Sequence, residues 1–146
     1  MTSDKIKRVM DACYMAKRVR DMLPALPGGV TSSHIHYLDT IRQLESMKEN
    51  VKVSDISDML GLPRPSVTKT IKDMKNLGFV KKMTTKEDGR VVYIQITDSG
   101  KALVDTYVDQ YFNGLSKELS DITDEQANIM IEVVEKFYTV MSKRKV

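Results

Sequence analysis

The most regular apolar spacing in the chain is carried by Val67, Ile71, Met74 and Leu77, which recur at intervals of four, three and three. That period aligns them on one helical face, while Pro65, Lys69, Lys72 and Asn76 fall roughly opposite. Pro65 suits a first helical position, where no N–H bond is needed. Arg64 precedes a proline and is expected outside the helix, and Gly78 supplies a stop. The spacing predicts a helix over 65–77, apolar on one side and cationic on the other. Just upstream, Ser54 is placed to cap a shorter helix whose Ile56, Met59 and Leu60 point inward, and Gly61 breaks it into a tight turn. Downstream, residues 79–83 and 91–96 are rich in β-branched and aromatic side chains and read as strands. In the second run Val92, Ile94 and Ile96 alternate with Val91, Tyr93 and Gln95, so one face can pack and the other can be wet. The connecting tip is K-E-D-G-R, ending in Arg90. Residues 53–97 therefore read as a helix-turn-helix followed by a two-stranded β-wing.

The flanks are helical. Ile6, Val9, Cys13, Ala16 and Leu23 follow helical spacing over 4–23, and the run L-P-A-L-P-G-G then forces a loop. A second helix is expected over 33–47, with Thr31, Ser32 and Ser33 all available as N-cap and Ile35, Leu38, Ile41 and Leu44 in one row. After a short connector and the winged unit, Thr97 can cap a long helix to about 119, with Gly114 as a site for a bend. T-D-E-Q at 123–126 is a capping-box pattern opening a final helix. The fold class is thus mainly α: a winged unit at 48–97 and a helical region at 1–47 and 98–146. The terminal helices carry more apolar surface than one small winged unit needs. Packing against the same helices of a second copy, in a two-fold homodimer, absorbs that surplus; the other arrangement is a monomer whose terminal helices pack on each other.

Composition sharpens this picture. At 146 residues and 41% hydrophobic, the chain can bury a core. A single cysteine excludes an intramolecular disulfide, the start M-T-S-D-K-I-K-R is polar, and no stretch approaches a membrane span. A cytoplasmic protein with no membrane partner is expected. From 64 to 90 there are eight Lys/Arg and three acids, a local +5 within a chain of net +3, so the remainder carries −2. A cationic winged unit in an otherwise mildly acidic protein is the footprint of phosphate binding and points to double-stranded DNA as partner. Arg90 on a protruding tip is placed to enter a minor groove, with Asp88 placed to hold it. The alternative is a winged-helix module that binds another protein without specific DNA binding.

Catalysis finds no support: G-x-S-x-G, P-loop, H-E-x-x-H and dinucleotide patterns are all missing from the sequence, and no cofactor is expected. His34 and His36 are two apart, off a common helix face, so no metal site is expected. Tyr14, His36 and Tyr37 are candidates to line an apolar pocket with polar tips; ordinary packing is the other reading of the same residues.

Residues 53–97 resemble the MarR family of winged-helix transcriptional regulators. The likeness rests on I-S-D-M-L-G-L with P-S-V-T-K-T-I-K-D-M-K-N-L-G-F-V, on D-G-R in the wing, and on I-T-D-S-G-K-A-L opening the next helix. It implies a homodimer on pseudo-palindromic operators, most often as a repressor, sometimes released by a small-molecule effector. It also implies DNA contacts at Arg64, Ser66, Thr68, Lys69 and Lys72, with Arg90 as the wing arginine. Ser66, Thr68 and Lys69 are expected near base edges, and Arg64, Lys72 and Lys75 on phosphates. The chain departs from the family at Pro63-Arg64-Pro65, where many members carry a capping Ser or Asp. Some members sense peroxide through a cysteine near the position of Cys13; a stripe cysteine also serves as a small hydrophobe.

Overall fold

The computed structural model describes residues 1–87 and 89–144; Asp88, expected beside the wing arginine, lies outside the described residues. The elements run α1 (Ser3–Asp21), α2 (Ser32–Met47), α3 (Val53–Leu60), α4 (Arg64–Asn76), β1 (Val80–Thr84), β2 (Val92–Ile96), α5 (Asp98–Val104), a π-helical segment (Asp105–Gln110), α6 (Tyr111–Glu118) and α7 (Asp124–Ser142). The fold is mainly α with an antiparallel two-stranded wing, as the apolar spacing predicts.

One core serves the winged unit. Leu38 and Ile41 of α2, Ile56 of α3, and Val67, Ile71 and Met74 of α4 are buried together, and Val80, Ile94, Ile96 and Val104 close the cluster. The wing pairs Val80 with Ile96 and Thr84 with Val92. Val51, expected in a plain connector, instead bridges Ile94: the Ile94 N–H donates to the Val51 carbonyl at 2.8 Å. The connector thereby adds a short third edge to the wing.

Four local expectations are corrected. Ser54 does not cap α3; the helix starts at Val53, and the Asp55 carboxylate accepts from the Lys52 N–H at 2.7 Å. Met59 is 45% exposed, because the inward face of α3 is set by Ile56, the buried Ser57 and Leu60, and Met59 lies on the other side of Ile56 from Ser57. Leu77 is 40% exposed, since α4 ends at Asn76 and Leu77 is its C-cap. Arg64 is likewise inside α4 rather than before it: Pro65 takes the second helical position, where its missing N–H costs no intrahelical bond, and Pro63 sits extended at the N-cap.

The long helix after the wing is interrupted at Asp105–Gln110 and not at Gly114, around which a side chain would meet open space. The other caps follow expectation. Thr31 exchanges bonds with His34, Thr123 with Gln126, and the Thr97 hydroxyl accepts from the Gly100 N–H.

Gly100 fits because it has no side chain. A Cβ there would fall on the Phe79 carbonyl oxygen and press on Ile96. Gly100→Ala is expected to destabilise the fold by about 1–3 kcal/mol, the usual cost of overpacking a tight site. Urea unfolding of both forms measures this, and an unchanged midpoint would show that α5 can retreat from the wing.

Candidate nucleic-acid interface

The turn between α3 and α4 is tied at both ends. Gly61 adopts φ +64°, a left-handed conformation that glycine takes without a Cβ clash. The buried Ser57 hydroxyl donates to the Leu62 carbonyl at 2.6 Å, and the Leu62 N–H donates to the Ser57 carbonyl. At the far end of α4, Gly78 at φ +80° lets the Phe79 N–H reach the Met74 carbonyl. Thr97 then joins helix and wing: its hydroxyl donates to the Gly78 carbonyl at 2.7 Å and its N–H to the Phe79 carbonyl at 3.0 Å.

Anchored in this way, α4 buries Val67, Ile71 and Met74 and turns the opposite face outward. Arg64, Ser66, Thr68, Lys69, Lys72 and Lys75 are all exposed. By helical angle Lys69, Lys72 and Asn76 lie most directly opposite the buried row, with Pro65; Ser66 and Thr68 flank them on either side, and Arg64 sits nearer the buried row at the start of the helix. Among the described residues Arg64, Lys69, Lys72 and Lys75 form no salt bridge. Lys81, Lys82, Lys86 and Arg90 are exposed along the wing. The arrangement is a cationic helix face beside a cationic hairpin, able to meet a row of phosphates and the base edges between them.

The sensor candidates scatter. Tyr14 is 69% exposed on α1, whereas Tyr37 is 3% exposed within the core. Only His36 of the three lines a cavity of about 560 Å³ between the end of α1, the loop before α2, α2 itself and the π segment. Arg20, Leu26, Ile35, Asp39, Tyr107 and Phe112 are among its walls. Cys13 is partly buried on α1 and is not among the cavity residues. His34 is spent on its cap, its Nδ1 accepting from the Thr31 N–H. Among the described residues no group of three or more His, Cys, Asp or Glu is placed to hold a metal, and no helix is long and apolar enough to cross a membrane.

Two polar ties were not legible in the sequence. The Glu45 carboxylate accepts from the Ile96 N–H at 2.9 Å, linking α2 to the wing. Arg42 donates to Asp39, Asp105 and Asp109, linking α2 to the π segment. Neither partner lies near in sequence apart from Asp39, and no short-range spacing announces them.

A glycine-broken helix pair, a basic outward helix and a paired wing define a winged helix-turn-helix protein of the nucleic-acid-binding kind. The model for the MarR family matches residues 29–91, which span α2, both helices of the motif and the wing tip. In sequence it is 19% identical over 106 residues to YdgJ of Bacillus subtilis (strain 168), an uncharacterized HTH-type transcriptional regulator. That match covers 73% of this chain but 62% of YdgJ, so the chain spans less than two thirds of its relative's length. Among solved structures, FabT of Streptococcus pneumoniae in complex with DNA superposes with a TM-score of 0.68 at 15% identity, over 99% of this chain and 100% of that one. BpsR of Bordetella bronchiseptica, whose DNA binding is regulated by 6-hydroxynicotinic acid, gives 0.65 at 14% identity over 91% and 98%. At these identities the likeness is one of fold.

Asp55 anchors α3 and has a pH signature. Burial opposes its ionisation, but the Lys52 N–H and the Lys48 ammonium at 2.9 Å outweigh that and hold the carboxyl below its ordinary range. Its contribution is therefore full above the unfolded aspartate value of about 3.9 and is lost as pH falls through the lower folded value. Asp55→Asn is expected to lose a few tenths to about 1 kcal/mol near neutrality and to lose less on acidification than the parent. Parallel urea curves for the two proteins at all pH values would remove Asp55 from the acid response.

Proposed function

We propose that the protein is a cytoplasmic transcription regulator that binds double-stranded DNA as a homodimer on a pseudo-palindromic operator, acting as a repressor. The observation that carries this reading is the outward face of α4, where Thr68, Lys69 and Lys72 stand exposed and, among the described residues, without salt bridges beside the basic wing. In this reading α4 enters the major groove, with Ser66, Thr68 and Lys69 toward base edges and Arg64, Lys72 and Lys75 toward phosphates. Arg90 meets the adjacent minor groove, whose negative potential favours arginine. The match to the MarR-family model over residues 29–91 and a structural neighbour solved with DNA support it.

The homodimer is supported by what a single chain leaves uncovered. Neither α1 nor α7 buries a residue. On α7 Met130, Ile131, Val134, Tyr138 and Met141 fall on one broad face, all of them exposed. A contiguous apolar face of this kind marks an association surface, and a two-fold partner would set two α4 helices about 34–36 Å apart on successive turns of DNA. The helical region 1–47 and 98–146 then pairs the subunits while 48–97 reads DNA. The cavity beneath His36 and Asp39 is the place for a small-molecule effector that releases DNA, a reading supported by the ligand-regulated neighbour BpsR. An effector acts to the extent that it binds one pose of the winged units better than another.

Two measurements test the reading. Light scattering should give twice the chain mass of 16.6 kDa, and Val134→Glu should halve the observed mass; a monomeric parent would sink the homodimer. Fluorescence anisotropy with DNA upstream of the protein's own gene, beside a scrambled duplex, should show selective and salt-sensitive binding. Lys72→Ala and Arg90→Ala should each weaken it and flatten the slope of log K against log salt by about one unit. Absence of binding even at low salt would favour the protein-interaction module.

A further inference from the structure

The rod from 98 to 118 joins two different environments. Its upstream end is fixed to the winged unit, with Val104 fully buried and Gly100 against the Phe79 carbonyl. Its downstream end, α6, buries no residue of its own. Between them lies the π segment, a wider and rarer turn than the α-helix, with i→i+5 bonds. Such turns appear mostly as single-turn bulges inside α-helices, frequently at functional sites. Residues 105–110 read D-T-Y-V-D-Q, without proline or glycine, so no breaker in that stretch accounts for the wide register.

The hold comes from α2. Arg42 grips Asp109 with both prongs of its guanidinium, at 2.6 and 2.9 Å, and reaches Asp105 at 3.4 Å and Asp39 at 2.9 Å. Asp105 and Asp109 are the first and fifth residues of the π segment, so a single guanidinium clasps one full turn of it. A two-pronged arginine–carboxylate bond fixes direction as well as distance. The Arg42 bonds favour the ionised form of Asp109, whose carboxyl is held below its usual range. The same parts form the cavity: Tyr107 and Val108 of the π segment are one wall and Asp39 of α2 is another. A cavity occupant thus touches both the clasped turn and one of the three carboxylates that share Arg42.

We propose that the π segment Asp105–Gln110 is the hinge between the winged unit and the terminal helices, and that Arg42 is the clasp that holds it in its wide register. Release lets the turn tighten toward α-helix. The step from one register to the other is on the order of one residue, ~100° of rotation and ~1.5 Å of rise for everything beyond. An occupant that presents an amine or amide N–H to Asp39 draws that carboxylate from Arg42 and loosens the clasp. That the motion alters DNA binding rests on the function proposed above; the hinge itself does not.

The test measures the angle directly, without DNA. In a Cys13→Ser background, spin labels are placed at Asp73→Cys on α4 and Lys117→Cys on α6, and the labelled chain is diluted into unlabelled protein so that each assembly carries one pair. Pulsed dipolar spectroscopy should give one narrow distance for the parent. Arg42→Met and Asp109→Asn should each add a second population, displaced by the one-residue step: ~1.5 Å along the rod together with the sweep of the α6 label through ~100°. Arg42→Lys, which keeps the charge but loses the fork, should fall between. Deletion of Thr106, which removes the extra residue of the wide turn, should move the distribution wholly to the second distance. Should that deletion fail to fold by circular dichroism, the three point variants still decide. A distribution in Arg42→Met and Asp109→Asn identical to the parent's overturns the clasp. A folded Thr106 deletion with the parent's distance overturns the hinge.

Discussion

Burial of the Leu38, Ile41 and Leu44 row of α2 is the constraint on which the rest of the molecule depends. Each of these side chains contributes about 1.5–3 kcal/mol when fully removed from water, and together they fix α2 against α3, α5 and β2. Because that row occupies one side, the residues that rotate to the other sides are aimed at fixed neighbours. Asp39 faces the cavity, Arg42 the π segment and Glu45 the last residue of the wing. A helix that reads as simple core filling is also the common wall of the cavity and the support of the candidate interface.

Much of the winged unit could be read from spacing because its determinants are local. The row Val67, Ile71 and Met74 declares the buried face of α4, and the outward face follows by geometry alone. The caps at Thr97 and Thr123 and the turn at Gly61 are likewise short-range, each requiring a residue type within a few positions of its partner. The errors at Met59, Leu77 and Arg64 lie at the ends of short helices, where one or two residues decide which way a side chain points and periodicity has too few turns to average over.

What could not be read is long-range and polar. Arg42 and Asp109 are 67 residues apart, and Glu45 and Ile96 are 51 apart. A charged residue on a helix surface carries no mark of whether water or a distant carboxylate will receive it. The Val51 bridge to Ile94 was hidden for a similar reason, since a single paired residue leaves no alternation to detect. The cavity escaped because its walls come from separate elements, so that Tyr14, His36 and Tyr37, close in sequence or in type, part company in space. The π segment is equally silent, its composition being that of an ordinary helix.

Thr97 engages Gly78, Phe79 and Gly100 at once, so the base of the wing is locked to the end of α4 and the start of α5. The strands therefore form a stiff stem that ends where Thr84 pairs with Val92, and among the described residues no core residue lies beyond that pair. Residues added to or exchanged in the connecting tip leave the folding determinants untouched. The tip is thus the part of the molecule where length can vary between lineages, or at a protein engineer's bench, without moving the helix beside it, so that its reach and its charge are set by function and not by folding.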